Sequence, residues 1–539
     1  MLIKPASIYL HPNDLLLCDL YTRFNLQNTM KLFGGGLASE YYYYGLCLFL
    51  ALVYHAIVRA KSGGGKNPSQ RLPPGPWQLP IVGSVHHLLR GLPHHTMRNL
   101  SQQYGPLMML RICERVIFVV SSAEVVREVF KGNNTAFEQR PSSPALDELH
   151  SGHAIGVVMA PYGEQWRQLR RIIVTHVLST RCVQSYRRIR EDEADHLVSV
   201  LASSPPGQLV NVSALITDFV ADSAIRSIFG DKLPDRDEFL KMMEHATEFS
   251  TIFDLRDLFP SSRLVRMLPR SGKASQHLTK TFQLYDKIFQ SHADRKEVND
   301  GDREKDMIDV LLGLQKEASM RVSLTPEVIK SVVMDIFTAA IDTQTICLQW
   351  TMAELVANPR VMKKAQEEIR RVLGRKERVI EESLRDLHYL RAVIKETLRL
   401  HPPAALFPRV CLHDDQKIQG FHVPRGTILV TNIWAICRDP KYWTDPDTFI
   451  PERFEDECAF DFKGSDFEYI PFGAGRRICP GITFAQATIE IVLANLLYHF
   501  DWELPHGVKS EEIDMTEVFG LSVKKKADLL LHPIPWIPE

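Results

Sequence analysis

The chain contains few cysteines, and none of them shows the Cys-x-x-Cys spacing that many structural zinc sites and redox pairs share. The nine cysteines are odd in number and scattered along the sequence. They are Cys18, Cys47, Cys113, Cys182, Cys347, Cys411, Cys437, Cys458 and Cys479. This usage disfavours both a disulfide framework and a zinc site, and it suits a reducing cytosol.

An excess of charge of one sign is also absent. The chain has 64 basic and 65 acidic residues, which gives a formal net charge of −1. Since no global field would attract nucleic acid or acidic substrates, we expect no nucleic-acid partner. The 539 residues, of which 45% are hydrophobic, are enough to bury a large core. The sequence contains no internal repeat, so nothing in it indicates a solenoid.

Residues 41–58, YYYYGLCLFLALVYHAIV, lack Asp, Glu, Lys and Arg. The length of the run, its tyrosine cluster and the basic Arg59 and Lys61 after it predict a transmembrane helix with the following body in the cytosol. We therefore expect a single-pass protein of the endoplasmic reticulum membrane. A cleaved signal peptide is the alternative, although small-residue cleavage sites are absent. Residues 1–40 form an N-terminal extension, and Met30 is a second candidate for the first residue.

A linker rich in glycine and proline follows at 59–77. The main body, 78–539, has strand signals at 107–112, at 116–120 and around 421–431, with helical patterns dominating between them. The sequence therefore predicts one mainly α domain with small β-sheets at its edge.

One predicted helix is unusually long. Thr325 has the chemistry of an N-cap, Pro326 suits the first helical turn, and Pro359 marks the end. Such a helix would extend about 50 Å, which means that it crosses the core of the domain.

The middle of this helix reads DIFTAAIDTQT at 335–345, and it places polar residues where an apolar core helix should stay apolar. In the structural interpretation, Thr343 bonds to the carbonyl of Ala339 and Asp342 finds a basic partner. In the functional interpretation, a distorted turn handles protons and water. The residues alone leave both interpretations open.

Three further pairs or single residues have ordinary structural explanations when they are taken separately. Glu396 and Arg399 in KETLR share a helix face and would form a modest bridge. Arg453 lies in the proline-bounded PERF segment, and Trp166 and Arg170 are one helical turn apart. Their order along the chain, followed by the segment below, makes separate explanations unsatisfactory.

The segment PFGAGRRICPG at 471–481 holds one cysteine among glycines, arginines and prolines. Its pattern Phe-x-x-Gly-x-Arg-x-Cys-x-Gly is met by Phe472, Gly475, Arg477, Cys479 and Gly481. The chain therefore resembles the cytochromes P450, in particular the plant microsomal A-type group. Further motifs of that group are LPPGPW at 72–77, FEQRP at 137–141, APYGEQWRQLRR at 160–171 and WAICRDP at 434–440. The resemblance extends roughly from residue 72 to residue 538.

This resemblance implies a haem cofactor with Cys479 as its proximal thiolate ligand, an electron-rich ligand that favours O–O cleavage. Gly475 and Gly481 would permit a close backbone approach to the sulfur, and Phe472 would pack near the ligand loop. The residues expected to satisfy the two haem propionates are Arg477, Trp166, Arg170 and Arg409. Those expected to form a buried structural ion network are Glu396, Arg399 and Arg453.

The resemblance also implies a monooxygenase that inserts one oxygen atom of O2 into its substrate, with Asp342 and Thr343 organising proton delivery. The chain has no Gly-rich dinucleotide or flavin motif, so its electrons must come from another protein. The resemblance implies that this donor is a membrane-bound, NADPH-dependent cytochrome P450 reductase. Two positions depart from the family pattern, Ala340 in place of glycine and Gln344 in place of Thr or Ser.

The expected substrate is a hydrophobic specialised metabolite, with a terpenoid favoured. A phenylpropanoid or flavonoid is the alternative, and a haem protein without monooxygenase turnover is an alternative of another class. The residues expected to line the pocket are Ala339, Ala340, Ala404, Ala405, Leu406, Phe407 and Phe519, with Glu148 and His153 as polar exceptions.

Overall fold

The computed structural model describes residues 71–132, 134–142, 154–230, 233, 235–250, 254–268, 272–296, 305–316, 324–455 and 460–537. These residues belong to one compact unit, Pro68–Glu539. The expected N-terminal extension, transmembrane helix and most of the linker lie outside the described residues, as do Glu148 and His153.

Helices form most of the regular structure. Several begin at a side chain that caps the first turn, such as Ser122, Ser179 and Asn211. The α-helices are α1 (Val85–Leu88), α2 (Pro93–Tyr104), α3 (Ala123–Arg127), α4 (Glu164–Ile172), α5 (Thr180–Ser185), α6 (Arg187–Ala202), α7 (Val212–Phe229), α8 (Arg236–Ser250), α9 (Leu255–Leu258), α10 (Arg263–Arg266), α11 (Gly272–Lys296), α12 (Met307–Lys316), α13 (Pro326–Ala357), α14 (Pro359–Leu373), α15 (His388–Leu400), α16 (Ile433–Ile436) and α17 (Ile482–His499).

The strands form small sheets. They are β1 (Leu107–Ile112), β2 (Arg115–Val120), β3 (Val210–Asn211), β4 (Leu406–Val410), β5 (Gln416–Ile418), β6 (Phe421–Val423), β7 (Ile428–Asn432), β8 (Phe500–Glu503), β9 (Glu517–Phe519), β10 (Val523–Lys525) and β11 (Leu530–Pro535). The largest sheet has the order β1-β2-β7-β4, and the others are β3-β11-β8, β5-β6 and β9-β10. In the largest sheet only β2 and β7 are parallel, with Ile117 opposite Ile428.

The strand predictions at 107–112 and 116–120 are confirmed, although β2 begins one residue earlier, at Arg115. The predicted strand around 421–431 is two strands, β6 and β7. The chain turns between them at Pro424 and at Gly426, whose φ is 82°. The short strands of the small sheets, such as β9 and β10, were not predicted.

The long helix α13 agrees with its prediction. Thr325 caps its N-terminus by accepting a hydrogen bond from the Val328 amide, and the helix ends at Ala357, two residues before Pro359. Among the described residues it is the one helix that is long and apolar enough to cross a membrane. However, it packs against α7, α15 and α17, and most residues towards each of its ends are buried. It is therefore the central helix of the core.

The buried helix α17 positions the cysteine segment. It begins at Ile482, three residues after Cys479, and it packs against α13. Its Phe484 belongs to the same apolar cluster as Phe337 of α13 and Trp166 of α4. The C-terminal end of the segment 471–481 is therefore fixed next to α13.

Candidate active site

The cysteine loop, 471–481, bends at two glycines before it reaches the sulfur. Gly473 and Gly475 have φ values of 75° and 72°, a region that side chains with a Cβ avoid. A Cβ at Gly475 would also stand 2.9 Å from the Phe130 ring. The short 3-10 turn Gly475–Arg477 follows and turns the chain towards Cys479. Glycine is therefore required at position 475 by both the backbone and the available space.

Backbone groups hold Cys479 in place. Its amide donates to the Phe472 carbonyl over 3.0 Å, and the Gly481 amide donates to Sγ over 3.3 Å. Burial raises the pKa of the Cys479 thiol, while the Gly481 amide and the charge of Arg170 act in the opposite direction. A metal ion at Sγ would deprotonate the thiol.

The backbone of Gly481 approaches the sulfur closely, as expected, but the structure shows no steric need for glycine there. Its φ is −94°, and a Cβ would be in ordinary contact with Sγ at 3.8 Å. What position 481 supplies in this structure is its backbone amide.

A buried guanidinium group without partners lies near the loop. Arg409 is fully buried, and none of its three side-chain nitrogen atoms has a hydrogen-bond partner. Burial, together with the charges of Arg140 and Arg477, lowers the pKa of Arg409 to about 8. Burying a charge without hydrogen bonds is strongly unfavourable, and the buried Glu138 carboxylate offsets this cost only through its charge. The three nitrogen atoms of Arg409 therefore suit an anionic ligand.

Arg140 and Arg477 complete this cationic site. The Nε atoms of both side chains are buried and unpartnered, while Nη1 and Nη2 of Arg477 donate to the carbonyls of Val158 and Ala160. Burial first, and then the neighbouring charge, lowers the pKa of Arg140 to about 10. Three converging arginines suit a ligand with two carboxylates.

Phe407 belongs to the same site. The guanidinium carbons of Arg140 and Arg409 lie 4.4 Å and 4.1 Å from its ring centre, at cation–π distance. A Cβ at Gly473 would touch the same ring at 3.4 Å. Phe407 therefore lies between the cysteine loop and the arginines, in addition to its predicted role as a residue that lines the pocket.

Other predicted lining residues have different neighbours. Ala405 is 2% exposed and clusters with Trp434 and Val523, and Leu406 packs on the apolar side of the β1–β2 sheet. The ring of Phe519 stacks on His94 with centres 5.7 Å apart. Ala404 is partly exposed. Ala405 and Phe519 nevertheless lie near each other, because Phe519 pairs with Val523 of the Ala405 cluster. That the whole set lines one pocket stays a prediction.

Trp166 and Arg170 both lie on α4 beside the loop, but their donors are engaged. Trp166 Nε1 donates to the Val157 carbonyl over 3.1 Å, and its ring lies 4.6 Å from the guanidinium carbon of Arg477. Arg170 donates to the carbonyl of Ile478, the residue before Cys479. Both side chains thus support the loop and its arginine through these contacts.

The middle of α13 is less buried than its ends. Ala339 and Thr343, one turn apart on the same face, are exposed, and Ala340 and Asp342 are partly exposed. Since the helix is packed into the core on both sides of this stretch, its middle borders an open space within the fold. Ala340 also packs against the cluster that contains Phe484, which lies in the first turn of α17.

The polar groups in this stretch make the contacts of the structural interpretation. Thr343 Oγ1 donates to the Ala339 carbonyl over 2.7 Å. Asp342 accepts from Lys524 Nζ over 3.0 Å and from Ser522 Oγ over 3.3 Å. The expected distorted turn is not found, because α13 is α-helical throughout.

The structure brings Glu396, Arg399 and Arg453 together. Arg399 binds Glu396 through two hydrogen bonds of 2.7 Å and 2.8 Å, and both side chains are fully buried. Arg453 Nε lies 3.3 Å from the same carboxylate, which also accepts the Ile450 amide. This is a buried network, in contrast to the surface bridge that the spacing alone suggests.

Sequence reasoning missed the contacts of Arg140 and Lys524. Arg140 lies in the FEQRP motif, three positions after the buried Phe137, so the motif could have indicated a basic residue close to the core. No local pattern indicates that residues 522 and 524 contact Asp342, because 180 and 182 residues separate them from it.

Together, these observations define a class of protein. A thiol held by backbone amides, a buried cationic site for two carboxylates and a space beside the central helix fit haem, which Cys479 would bind through its thiolate and the arginines through the propionates. The fold and the site are those of a haem-thiolate protein.

Comparisons with known proteins specify the family. The Cytochrome P450 family model matches residues 73–531, so the chain belongs to the cytochrome P450 family of haem-thiolate monooxygenases. Desmethyl-deoxy-podophyllotoxin synthase of Sinopodophyllum hexandrum is 42% identical, with 87% of this chain and 92% of that protein covered. Premnaspirodiene oxygenase of Hyoscyamus muticus is 39% identical, with 91% and 98% covered. A solved zebra fish cytochrome P450 with abiraterone has a TM-score of 0.69 and 25% identity, with 82% and 99% covered.

Proposed function

We propose that this P450 inserts one oxygen atom of O2 into a small hydrophobic specialised metabolite, with a terpenoid favoured. The observation that carries the proposal is the open face of α13, where Ala339 and Thr343 are exposed although the helix ends are buried in the core. A space bordered by alanine and one hydroxyl suits an apolar molecule that brings few polar groups.

The chain's own residues divide the work of holding the cofactor. Haem, when bound, supplies the oxygen-activating chemistry. Cys479 would provide the thiolate, and the Gly481 amide would moderate its basicity through the hydrogen bond to Sγ. Arg409 and Arg477, with Arg140, would bind the two propionates, which relieves the cost of their unpaired buried nitrogens.

Asp342 and Thr343 would deliver protons on the open face of α13. Thr343 offers a hydroxyl at the exposed face, and Asp342 reaches towards the half-exposed Lys524, which is in contact with solvent. Thr343 donates to the Ala339 carbonyl and Asp342 contacts Ser522 and Lys524, so proton delivery requires that Thr343 rotates away from that carbonyl.

Relatives support the substrate class in its broad form. Two of them are named for desmethyl-deoxy-podophyllotoxin and for premnaspirodiene, which are different molecules. The names therefore support a plant specialised metabolite, and our preference for a terpenoid over a phenylpropanoid or flavonoid rests on the apolar face of α13.

We further propose that NADPH–cytochrome P450 reductase supplies the electrons at the endoplasmic reticulum membrane, with residues 41–58 as the anchor. Arg171 is exposed on α4, whose Arg170 contacts the loop before Cys479, so it offers a basic contact near the ligand side of the haem. Acidic groups of the reductase would complement it.

The experiment is co-expression with a plant reductase in microsomes, followed by untargeted product analysis on panels of terpenoids, phenylpropanoids and flavonoids. We expect NADPH-dependent oxygenated products from the terpenoid panel, with oxygen-18 from O2 incorporated. The matched control is Cys479→Ser. Haem binding with no NADPH-dependent product on any panel would favour the haem protein without turnover, and products from another panel would correct the substrate class.

A further inference from the structure

Three histidines and one glutamate, none of them in the cysteine loop, lie close together. His94 and His95 begin α2, His401 follows the end of α15, and Glu517 begins β9. The nitrogen and oxygen atoms of His94, His95 and Glu517 that could bind a metal all lie within 4.8 Å of one another. His94 and Glu517 are buried, whereas the side chain of His95 is 39% exposed.

Hydrogen bonds satisfy this cluster only in part. His94 Nε2 bonds to Glu517 Oε2 over 2.8 Å. His95 Nε2 lies 3.0 Å from the same oxygen, but it is buried and its direction makes no hydrogen bond. Two imidazole nitrogens that approach one carboxylate oxygen, one of them at a poor angle for a hydrogen bond, are close enough together to act as ligands of one cation.

His401 adds a second mismatch. Its Nε2 bonds to Glu354 Oε1 over 2.7 Å, while its buried Nδ1 has no partner and lies 3.9 Å from Glu517 Oε1. A neutral imidazole that donates from Nε2 turns a lone pair at Nδ1 towards a carboxylate, which is also an acceptor. A cation between them removes this conflict.

We propose that His94, His95 and Glu517 bind a zinc ion. His401 lies outside this group of three, and its ring would have to turn towards the ion to complete a tetrahedral set. Imidazole nitrogen and carboxylate oxygen are preferred zinc ligands, whereas calcium and magnesium favour oxygen alone. The carboxylate of Glu354 on the far nitrogen of His401 is the outer partner that metal-bound histidines have in most zinc sites.

Such an ion would tie the β9–β10 hairpin to α2. The same hairpin carries Ser522 and Lys524, which contact Asp342 of α13. The ion would therefore act as a structural clamp whose strength affects the surroundings of α13. The binding of zinc itself does not depend on the proposed substrate or proton pathway.

The test uses the full-length, haem-loaded protein in detergent, stripped with a chelator and then equilibrated with buffered free zinc in the micromolar range. Plasma mass spectrometry should find about one zinc per iron. His95→Ala and Glu517→Gln should each weaken zinc binding at least tenfold, and Glu354→Gln should weaken it by roughly tenfold. His95 is partly exposed, so its variant keeps the experiment decisive when a Glu517 variant does not fold.

The matched control is His86→Ala. His86 and His87 form another pair of adjacent histidines, with ring centres 4.0 Å apart, and they belong to no comparable cluster in the described part of the chain. This variant should bind zinc like the parent, and zinc-edge absorption spectra should show only nitrogen and oxygen ligands at about 2.0–2.2 Å. Equal zinc content in the parent and His95→Ala, no zinc in the parent, or sulfur ligands at about 2.3 Å would each overturn the proposal.

Discussion

Replacing Arg399 by methionine should strongly destabilise the protein. The substitution keeps much of the side-chain volume but removes both hydrogen bonds to Glu396, and it removes the donors to the carbonyls of Cys437, Pro446 and Thr448. Glu396 would remain fully buried, with the Ile450 amide and the more distant Arg453 as partners. Breaking a buried ion pair in this way costs about 3–5 kcal/mol of unfolding free energy.

The chain contains a matched control for this prediction. Arg360 also binds a glutamate, Glu452, through two hydrogen bonds of 2.7 Å and 3.3 Å, but its side chain is 66% exposed. Arg360→Met should therefore cost less than about 1 kcal/mol. Both variants remove a two-bond Arg–Glu pair, but Arg399→Met also removes three bonds to backbone carbonyls. The comparison therefore measures burial of the pair together with those bonds.

Urea unfolding provides the assay, followed by tryptophan fluorescence and by the absorption of the thiolate-bound haem. The urea midpoints are compared, and not extrapolated free energies, because a protein with a bound cofactor does not unfold in two states. The double variant Glu396→Met with Arg399→Met should be more stable than Arg399→Met alone, since it removes the uncompensated charge. Equal midpoints for the Arg399 and Arg360 variants, or a double variant that is the least stable, would refute the reasoning.

Three further predictions concern the ligand, the open face of α13 and topology. Cys479→Ser should abolish the carbon monoxide absorption band of thiolate-bound ferrous haem, because a hydroxyl is not a thiolate. Ala340→Gly should change the ratio of oxidised products about tenfold or more, at a helix cost of about 1 kcal/mol, since one methyl group borders the open space. The sequon at Asn211 should stay unglycosylated in a eukaryotic host, because a cytosolic body never meets the glycosylation machinery.

Each of these predictions has a result that would contradict it. A thiolate band that persists in the serine variant would exclude Cys479 as the ligand. An unchanged product ratio with only lowered stability would mean that Ala340 merely fills space against its neighbours. A glycan on Asn211 would place the body on the luminal side, and it would also have to displace the side chain from its cap on α7 and from Asp528.

Local patterns predicted what local chemistry determines. Thr325 and Pro326 located the start of α13 because capping and proline geometry act within one turn. The glycine pattern located the bend at Gly475, where φ is positive. In both cases the residue that gives the signal is the residue that causes the structure.

Contacts between distant residues could not be predicted in the same way. The i, i+3 spacing of Glu396 and Arg399 is compatible with a surface bridge, and only tertiary packing decides that both are buried. The free nitrogens of Arg409 and the contact of Lys524 with Asp342 depend on where remote segments dock. Sequence therefore specified the ligand loop better than the groups that surround the open face of α13.

The parallel pairing of β2 with β7 has a consequence for synthesis. Ile117 of β2 must wait for Ile428, about 310 residues later in the chain. At about 5–20 residues per second, translation separates the two strands by roughly 15–60 s. During that interval the hairpin of β1 and β2 exposes an unpaired edge that other chains can join. We expect nascent chains of this protein to depend on chaperones at the ribosome until β7 has emerged, and slower translation to increase aggregation.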